Sequence, residues 1–291
     1  MRITGSHLID LATTATSRAQ ERVADAAGVL SSGKRVELAS QDPTAWAAGR
    51  RAADRAALSS ARGDAIDATR TRLSETDRAL GTIGGIVETA RSLAIQGAND
   101  TLDATARAAL GNQMQQLFRE ALGAANTQTS DGEYVLAGSR SDVAPFDAAG
   151  AYAGDAGVRT VETAEGVTQS LSVPGSALTA AAGVDVLPAL SALATALSTN
   201  NPAGIQAALA SLDTAGKQVS RARGDGGSSL AALDSVDQAR SGFEVQLAKQ
   251  LQAAVDADPI AAASEFARSS QVLEGAQSVA VRVISLVRPR Q

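Results

Sequence analysis

Cysteine is absent from this 291-residue chain, which excludes disulfides and thiolate metal sites. Histidine occurs once, at His7. That inventory cannot readily build a His- or Cys-type zinc site or a His-centred triad. Aromatic residues make up only 2% of the chain, with one Trp and two Tyr, whereas compact enzymes usually invest more in aromatics for core and pocket contact. No apolar run approaches the ~20 residues of a membrane span. Lys and Arg number 26 against 31 Asp and Glu, for a net charge of −5, so there is no basic footprint for nucleic acid. Residues 3–11 are interrupted by Ser6, His7 and Asp10, and no apolar core of a secretory signal forms. The expectation is either a cytoplasmic location or export by a route that uses no cleaved peptide. No catalytic residue, cofactor or metal is expected, and neither nucleic acid nor membrane as a partner.

What the chain does have is alanine at helical spacing. Alanine is the best helix former, and it keeps helix contacts thin. Leu8, Leu11, Ala15, Ala19, Arg22, Ala26 and Leu30 alternate three- and four-residue steps, which predicts a helix over residues 6–32 with one weakly apolar stripe. Gly33 is a plausible C-terminal cap. Asp42-Pro43 then pairs an N-cap with Pro at the first helical position. The alternation from Ile66 through Leu73, Leu80, Ile83, Val87 and Ala94 extends a pattern over residues 43–98, as one helix or two. Residues 102–127 predict a further helix, closed by Asp131-Gly132 and a short strand at Tyr134-Val135-Leu136-Ala137-Gly138.

Composition shifts at Ser139 towards Gly, Pro, Asp, Val and Thr. Residues 158–162 and 167–171 are β candidates joined around Glu165-Gly166. Helical spacing resumes at Leu190, Leu193 and Leu197, restarts at Asn201-Pro202, and breaks at Gly224-Asp225-Gly226-Gly227-Ser228-Ser229. A last pattern over residues 230–287 is interrupted at Asp258-Pro259. Its final part carries two adjacent seams. One is Phe266, Leu273, Ala280 and Val287; the other is Val272, Ala276, Val279, Val283 and Leu286. A stripe this wide needs partners on two sides. The expected fold is mainly α: an elongated antiparallel helical bundle or coiled-coil rod built from the N- and C-terminal segments, with a small β-rich inserted domain. Five parts follow: an outer helix at 1–40, helical rod at 41–138, the β-rich insertion at 139–189, helical rod at 190–254, and an outer helix at 255–291.

Sharper readings of single motifs weigh less than plain ones. The glycine-rich stretch at 224–229 lacks a following Lys at phosphate-loop spacing and a preceding strand, so a helix–helix turn is expected. Arg62-Gly63-Asp64 and Arg223-Gly224-Asp225 spell an adhesive tripeptide inside helical patterns. His7 has no partner motif for catalysis.

Several segments in order resemble the flagellin family. Leu30-Ser31-Ser32-Gly33-Lys34-Arg35, Ala39-Ser40-Gln41-Asp42-Pro43 and Leu93-Ala94-Ile95-Gln96-Gly97-Ala98-Asn99 resemble motifs of its N-terminal half. Asn126 with Gly132-Glu133-Tyr134-Val135-Leu136-Ala137-Gly138 resembles the motif that closes that half. Tyr152-Ala153-Gly154-Asp155 and Asp42-Pro43 resemble its junction-forming members rather than its filament subunits. The C-terminal stretch from Phe266 to Leu286 resembles the family's last helix. The resemblance implies a structural flagellar protein at the hook–filament junction, extracellular, and exported through the flagellar type III apparatus. It implies self-association in a helical ring, contacts with an adjacent hook-associated protein and with flagellin, and an export chaperone at the C-terminal helix. It also implies that the terminal segments order on assembly. The expected interface residues are Leu8, Leu11, Ala15, Leu30, Phe266, Leu273, Val279, Val283 and Leu286. A filament subunit and a cytoplasmic coiled-coil binding module are the alternatives.

Overall fold

The structure, a computed structural model, describes residues 5–164, 166–170 and 172–287. In chain order its elements are α1 (Gly5–Ser32), α2 (Pro43–Gly97), α3 (Ala104–Ala125), β1 (Thr160–Ala164), β2 (Val167–Ser170), a short 3₁₀ turn (Gly175–Leu178), α4 (Val186–Ser198), α5 (Pro202–Val255) and α6 (Pro259–Val287). The chain is mainly helical, as its alanine-rich periodicity predicts.

The helix boundaries follow the local signals. Helix α1 stops at Gly33, whose φ of +69° is a left-handed conformation that glycine adopts without a Cβ penalty. The Gly33 N–H donates to the Val29 carbonyl at 2.9 Å. Helix α2 opens with the Asp42 carboxylate accepting the Ala45 N–H at 2.9 Å. Pro43 supplies a first position that needs no donor. Helix α6 repeats the device, with the Asp258 carboxylate accepting from Ile260 at 2.8 Å ahead of Pro259. Asp103 does the same for α3 through the Ala106 N–H.

Helix continuity resolves one open alternative and corrects one expectation. Helix α2 is one helix of 55 residues. Helix α5 runs unbroken for 54 residues through Gly224 to Ser229, where a turn was expected. Gly226 is buried there, and a Cβ on it would meet the Val173 side chain at 3.6 Å. The Ser228 and Ser229 hydroxyls donate to the Asp225 carbonyl. Neighbouring packing therefore overrides the weak helix propensity of glycine and serine.

The chain divides into two compact units. One comprises residues up to Ser59 and from Gly242; the other is Ser60–Ser241. The second unit holds the main apolar core. Leu80, Ile83, Val87, Ala90 and Ala94 of α2 meet Met114, Ala121 and Ala125 of α3, Leu187, Leu190, Leu193 and Leu197 of α4, and Ile205, Leu212 and Val219 of α5. Seven of the 13 residues of α4 are buried, too many for a single stripe, so α4 is covered on several sides. Arg107 of α3 is buried and ties this end together. It donates to the Gly97 and Asn99 carbonyls at 2.8 Å each and to the Asn200 side chain at 2.6 Å.

The small β-rich domain expected at 139–189 is not found. Strands β1 and β2 form an antiparallel pair with Thr160 opposite Ser170 and Glu162 opposite Thr168, the only sheet among the described residues. Leu171, the expected end of the second strand, lies outside the described residues. The rest of the described stretch is turns, an isolated bridge between Phe146 and Tyr152, the 3₁₀ segment and the first residues of α4. The physical reason lies in its apolar residues. Phe146, Val173 and Leu178 are buried in the helical core, so no second β layer is needed to cover them.

The strand expected at Tyr134–Gly138 is likewise a buried irregular turn. Val135, Leu136 and Ala137 are consecutive and all buried, which the two-sided alternation of an exposed strand does not allow. Gly138 turns the chain with φ of +73°. The Gly175 N–H donates to the Leu136 carbonyl at 2.8 Å. The Tyr152 hydroxyl donates within reach of the Leu136 and Asp155 carbonyls, at 3.1 and 2.6 Å. The Asn126 amide stands in for a strand partner, exchanging two hydrogen bonds with the Phe146 backbone.

Candidate assembly interface

The first unit is thinly packed. Helices α1 and α6 run against each other, yet among the described residues Ala19, Ala26, Ala262 and Ser269 are the only ones of either that are buried. Around them lies a half-buried seven-residue repeat: Ile9, Ala12, Thr16 and Val23 on α1, and Phe266, Leu273, Ala276, Ala280 and Val283 on α6. Alternating three- and four-residue steps keep such a row on one side of each helix, as in a two-stranded coiled coil. The four residues buried at its centre are three alanines and one serine, so the contact removes little apolar area from water.

Beside this seam both helices leave apolar side chains uncovered. On α1 these are Leu8, Leu11 and Leu30; on α6 they are Ile260, Val272, Val279, Val281, Ile284 and Leu286. Leu11 is 63% exposed and Leu286 84%. Val272, Val279 and Leu286 recur every seven residues, next to the half-buried row. The expected interface residues therefore fall into two groups. Phe266, Leu273 and Val283 lie in the half-buried row. Leu8, Leu11, Ala15, Leu30, Val279 and Leu286 lie on exposed surface. The α1 stripe read from the sequence followed the larger leucines and so missed Ile9, Ala12, Thr16 and Val23. The alternating three- and four-residue steps of Ile9, Ala12, Thr16, Ala19, Val23 and Ala26 were the available signal.

The two linkers of this unit lie side by side. Lys34 and Asp256 form an antiparallel bridge. The Arg35 N–H donates to the Val255 carbonyl at 2.7 Å, and the Ala257 N–H to the Gly33 carbonyl at 2.8 Å. The Arg35 guanidinium reaches the Ala254 carbonyl at 2.8 Å, and Val36 is buried beneath. The Ala45 N–H, followed by Arg35, holds the Asp42 carboxyl below the usual carboxylate range. Gly49 sits so close to Val255 that a Cβ would lie 2.6 Å from its Cγ1.

A cavity of about 270 Å³ in the second unit is the other place where polar groups converge. Arg72 and Arg159 both donate to the Glu133 carboxylate, at 2.7 and 2.9 Å. Arg72 also donates to the Tyr134 carbonyl, and Arg159 to the Ser141 hydroxyl. Burial, then the charge of Arg159, lowers the Arg72 pKa against the pull of Glu133. Burial pushes Glu133 up, but hydrogen bonding and charge from Arg159 and Arg72 outweigh it and leave its pKa lowered. Among the described residues the buried Arg72 Nε has no hydrogen-bond partner. The cluster is a clasp between α2, the turn after α3 and the approach to β1.

Among the described residues, no His, Cys, Asp and Glu group is arranged to hold a metal, and no helix is long and apolar enough to cross a membrane. Both adhesive-type tripeptides lie inside α2 and α5. Gly63 is buried, and Arg223 is paired with Asp77 at 2.8 Å.

Residues 8–141 match the bacterial flagellin N-terminal helical region. Flagellar hook-associated protein 3 of Salmonella typhimurium is 29% identical over 126 residues, 43% of this chain and 40% of that protein. The matched stretch thus spans less than half of the curated relative. The fold is also that of solved structures. A putative flagellar hook-associated protein from Vibrio parahaemolyticus superposes with a TM-score of 0.68 at 22% identity, covering 74% of this chain and 99% of that one. Xanthomonas campestris FlgL gives 0.61 at 19% identity, covering 69% and 99%. Hook-associated protein 3 from Legionella pneumophila gives 0.61 at 14% identity, covering 70% and 98%. Over residues 8–141 the chain is thus similar to the N-terminal helical region of bacterial flagellin, and its fold is shared with hook-associated proteins.

Proposed function

We propose that this chain is a non-enzymatic structural component of the bacterial flagellum that joins hook to filament by packing helices of neighbouring copies. One observation supports this most directly. The α1–α6 pair buries only small residues while leaving Leu11, Val272, Val279 and Leu286 uncovered, on a chain whose N-terminal region is that of flagellin. Apolar rows of this kind call for further helices beside them. In this reading copies associate in a helical ring, with an adjacent hook-associated protein on one side and flagellin on the other. The chain leaves the cell unfolded through the flagellar export apparatus, and an export chaperone covers α6 beforehand. Residues 1–40 and 255–291 complete their ordering on assembly. Residues 41–138 and 190–254, with the intervening 139–189, fold alone.

The junction role is preferred to a filament role because the named relatives are hook-associated proteins and because Asp42-Pro43 follows their pattern. Electron microscopy of cells lacking the gene tests the choice. The junction role predicts intact hooks, with filaments shed into the medium. Filaments of normal length on those cells would refute it. A strain that still swims, with the protein retained in the cytoplasm, would favour the cytoplasmic binding module.

A further inference from the structure

We infer that a trough between α2 and α5 in the first unit receives helix α1 of a second copy through a matched pair of charges. The trough holds about 450 Å³ and is lined by Ala48, Arg51, Ala52, Arg55, Gln250, Ala253 and Ala254. Four of these are alanines, so an incoming helix can approach closely. Arg51 and Arg55 stand one helical turn apart, both exposed. Neither has an ion pair among the described residues, whereas Arg50 on the neighbouring edge of α2 is paired with Asp54. Like charges four residues apart on a helix repel each other unless an opposite charge faces them.

The complementary element is in the same chain. Glu21 and Asp25 of α1 are the only two acidic residues four positions apart in the whole sequence. Both are exposed and without an ion pair among the described residues. Two carboxylates spaced by one helical turn match two guanidiniums spaced by one helical turn. Arg18 and Arg22 border the acidic pair on α1, so the carboxylates approach from the edge away from them. Ser17 and Gly28, on that edge, are also exposed, and a Cβ on Gly28 would meet nothing within 4 Å. A small edge on α1 therefore faces a small-walled trough. The contact is heterologous: donor and receiving surfaces are different parts of the chain, so it repeats from copy to copy instead of closing as a dimer.

This contact rests on the reading that copies assemble in the flagellum, and a charge swap in the full chain tests it. The amount of chain retained in purified hook–filament structures is compared for wild type, Glu21→Arg with Asp25→Arg, Arg51→Glu with Arg55→Glu, and all four changes in one chain. Each reversal places like charges opposite each other and should lower retention about tenfold or more; the fourfold variant restores opposite signs and should return it to within about twofold of wild type. Circular dichroism of the purified chains checks that helicity is unchanged. If either reversal is retained like wild type, or the fourfold variant is no better than the reversals, the contact is wrong while the junction reading stands. Absence of the wild-type chain from the structures would overturn the junction reading and this contact with it.

Discussion

At the residue scale, single polar side chains do much of the positioning. Arg107 is the clearest case, since one planar guanidinium satisfies two main-chain carbonyls and the Asn200 side chain. Arg107→Ala would strand those acceptors in a buried site and should destabilise the second unit by about 2–4 kcal/mol. Arg107→Lys should recover little, because a point-like ammonium cannot reproduce the fork. Urea unfolding of the two variants checks both statements. Glu133 makes a pH prediction. Its folded pKa lies below the ordinary glutamate value, so its contribution is complete above the glutamate range and is lost as pH falls through the lowered folded value. Glu133→Gln should flatten the acid limb of a stability–pH profile and leave its slope above about pH 6 unchanged. An unchanged acid limb would remove Glu133 as a source of that dependence. None of these roles was visible in the sequence. Arg72, Glu133 and Arg159 come from three separate segments, and only the tertiary fold brings them together.

At the scale of elements, legibility depended on whether local signals agreed with packing. Asp42-Pro43, Asp258-Pro259 and Gly33 marked helix ends correctly because their chemistry is local: a carboxylate cap, a missing donor, a left-handed turn. The break expected at Gly224–Ser229 failed because glycine and serine only weaken a helix, and here the helix continues on both sides with Gly226 buried against its surroundings. The strand expected at Tyr134–Gly138 failed because a short apolar run looks the same whether it alternates between two faces or is buried outright. The terminal helices were legible as periodic, but not in detail. Leu8, Leu11 and Leu30 drew attention, while Ile9, Ala12, Thr16 and Val23 form the half-buried row on α1. That thin seam makes a prediction. With so little area removed from water, α1 and α6 should open more readily than the second unit. Limited proteolysis of the dilute chain should trim residues near 1–40 and 255–291 first and leave a fragment containing Ser60–Ser241. Ends as resistant as α3 and α4 would contradict assembly-coupled ordering.

For the whole molecule, what stands out is the contrast between its two units. One has a continuous core of Leu, Ile and Val on four helices, closed by polar clasps. The other pairs two alanine-rich helices and leaves many of its larger apolar side chains outward. A chain that kept its ends permanently bare would have a standing liability to aggregate. A chain whose ends are covered by copies of itself uses the same residues as its interface. The similarity of residues 8–141 to the flagellin N-terminal region and the shared fold are what the proposed flagellar assembly rests on. Immunogold labelling of intact flagella with antibody to the Ser60–Ser241 unit tests the account most directly. A single band of label at the boundary between hook and filament is the predicted result. Label along the whole filament, or none on the flagellum, would contradict it.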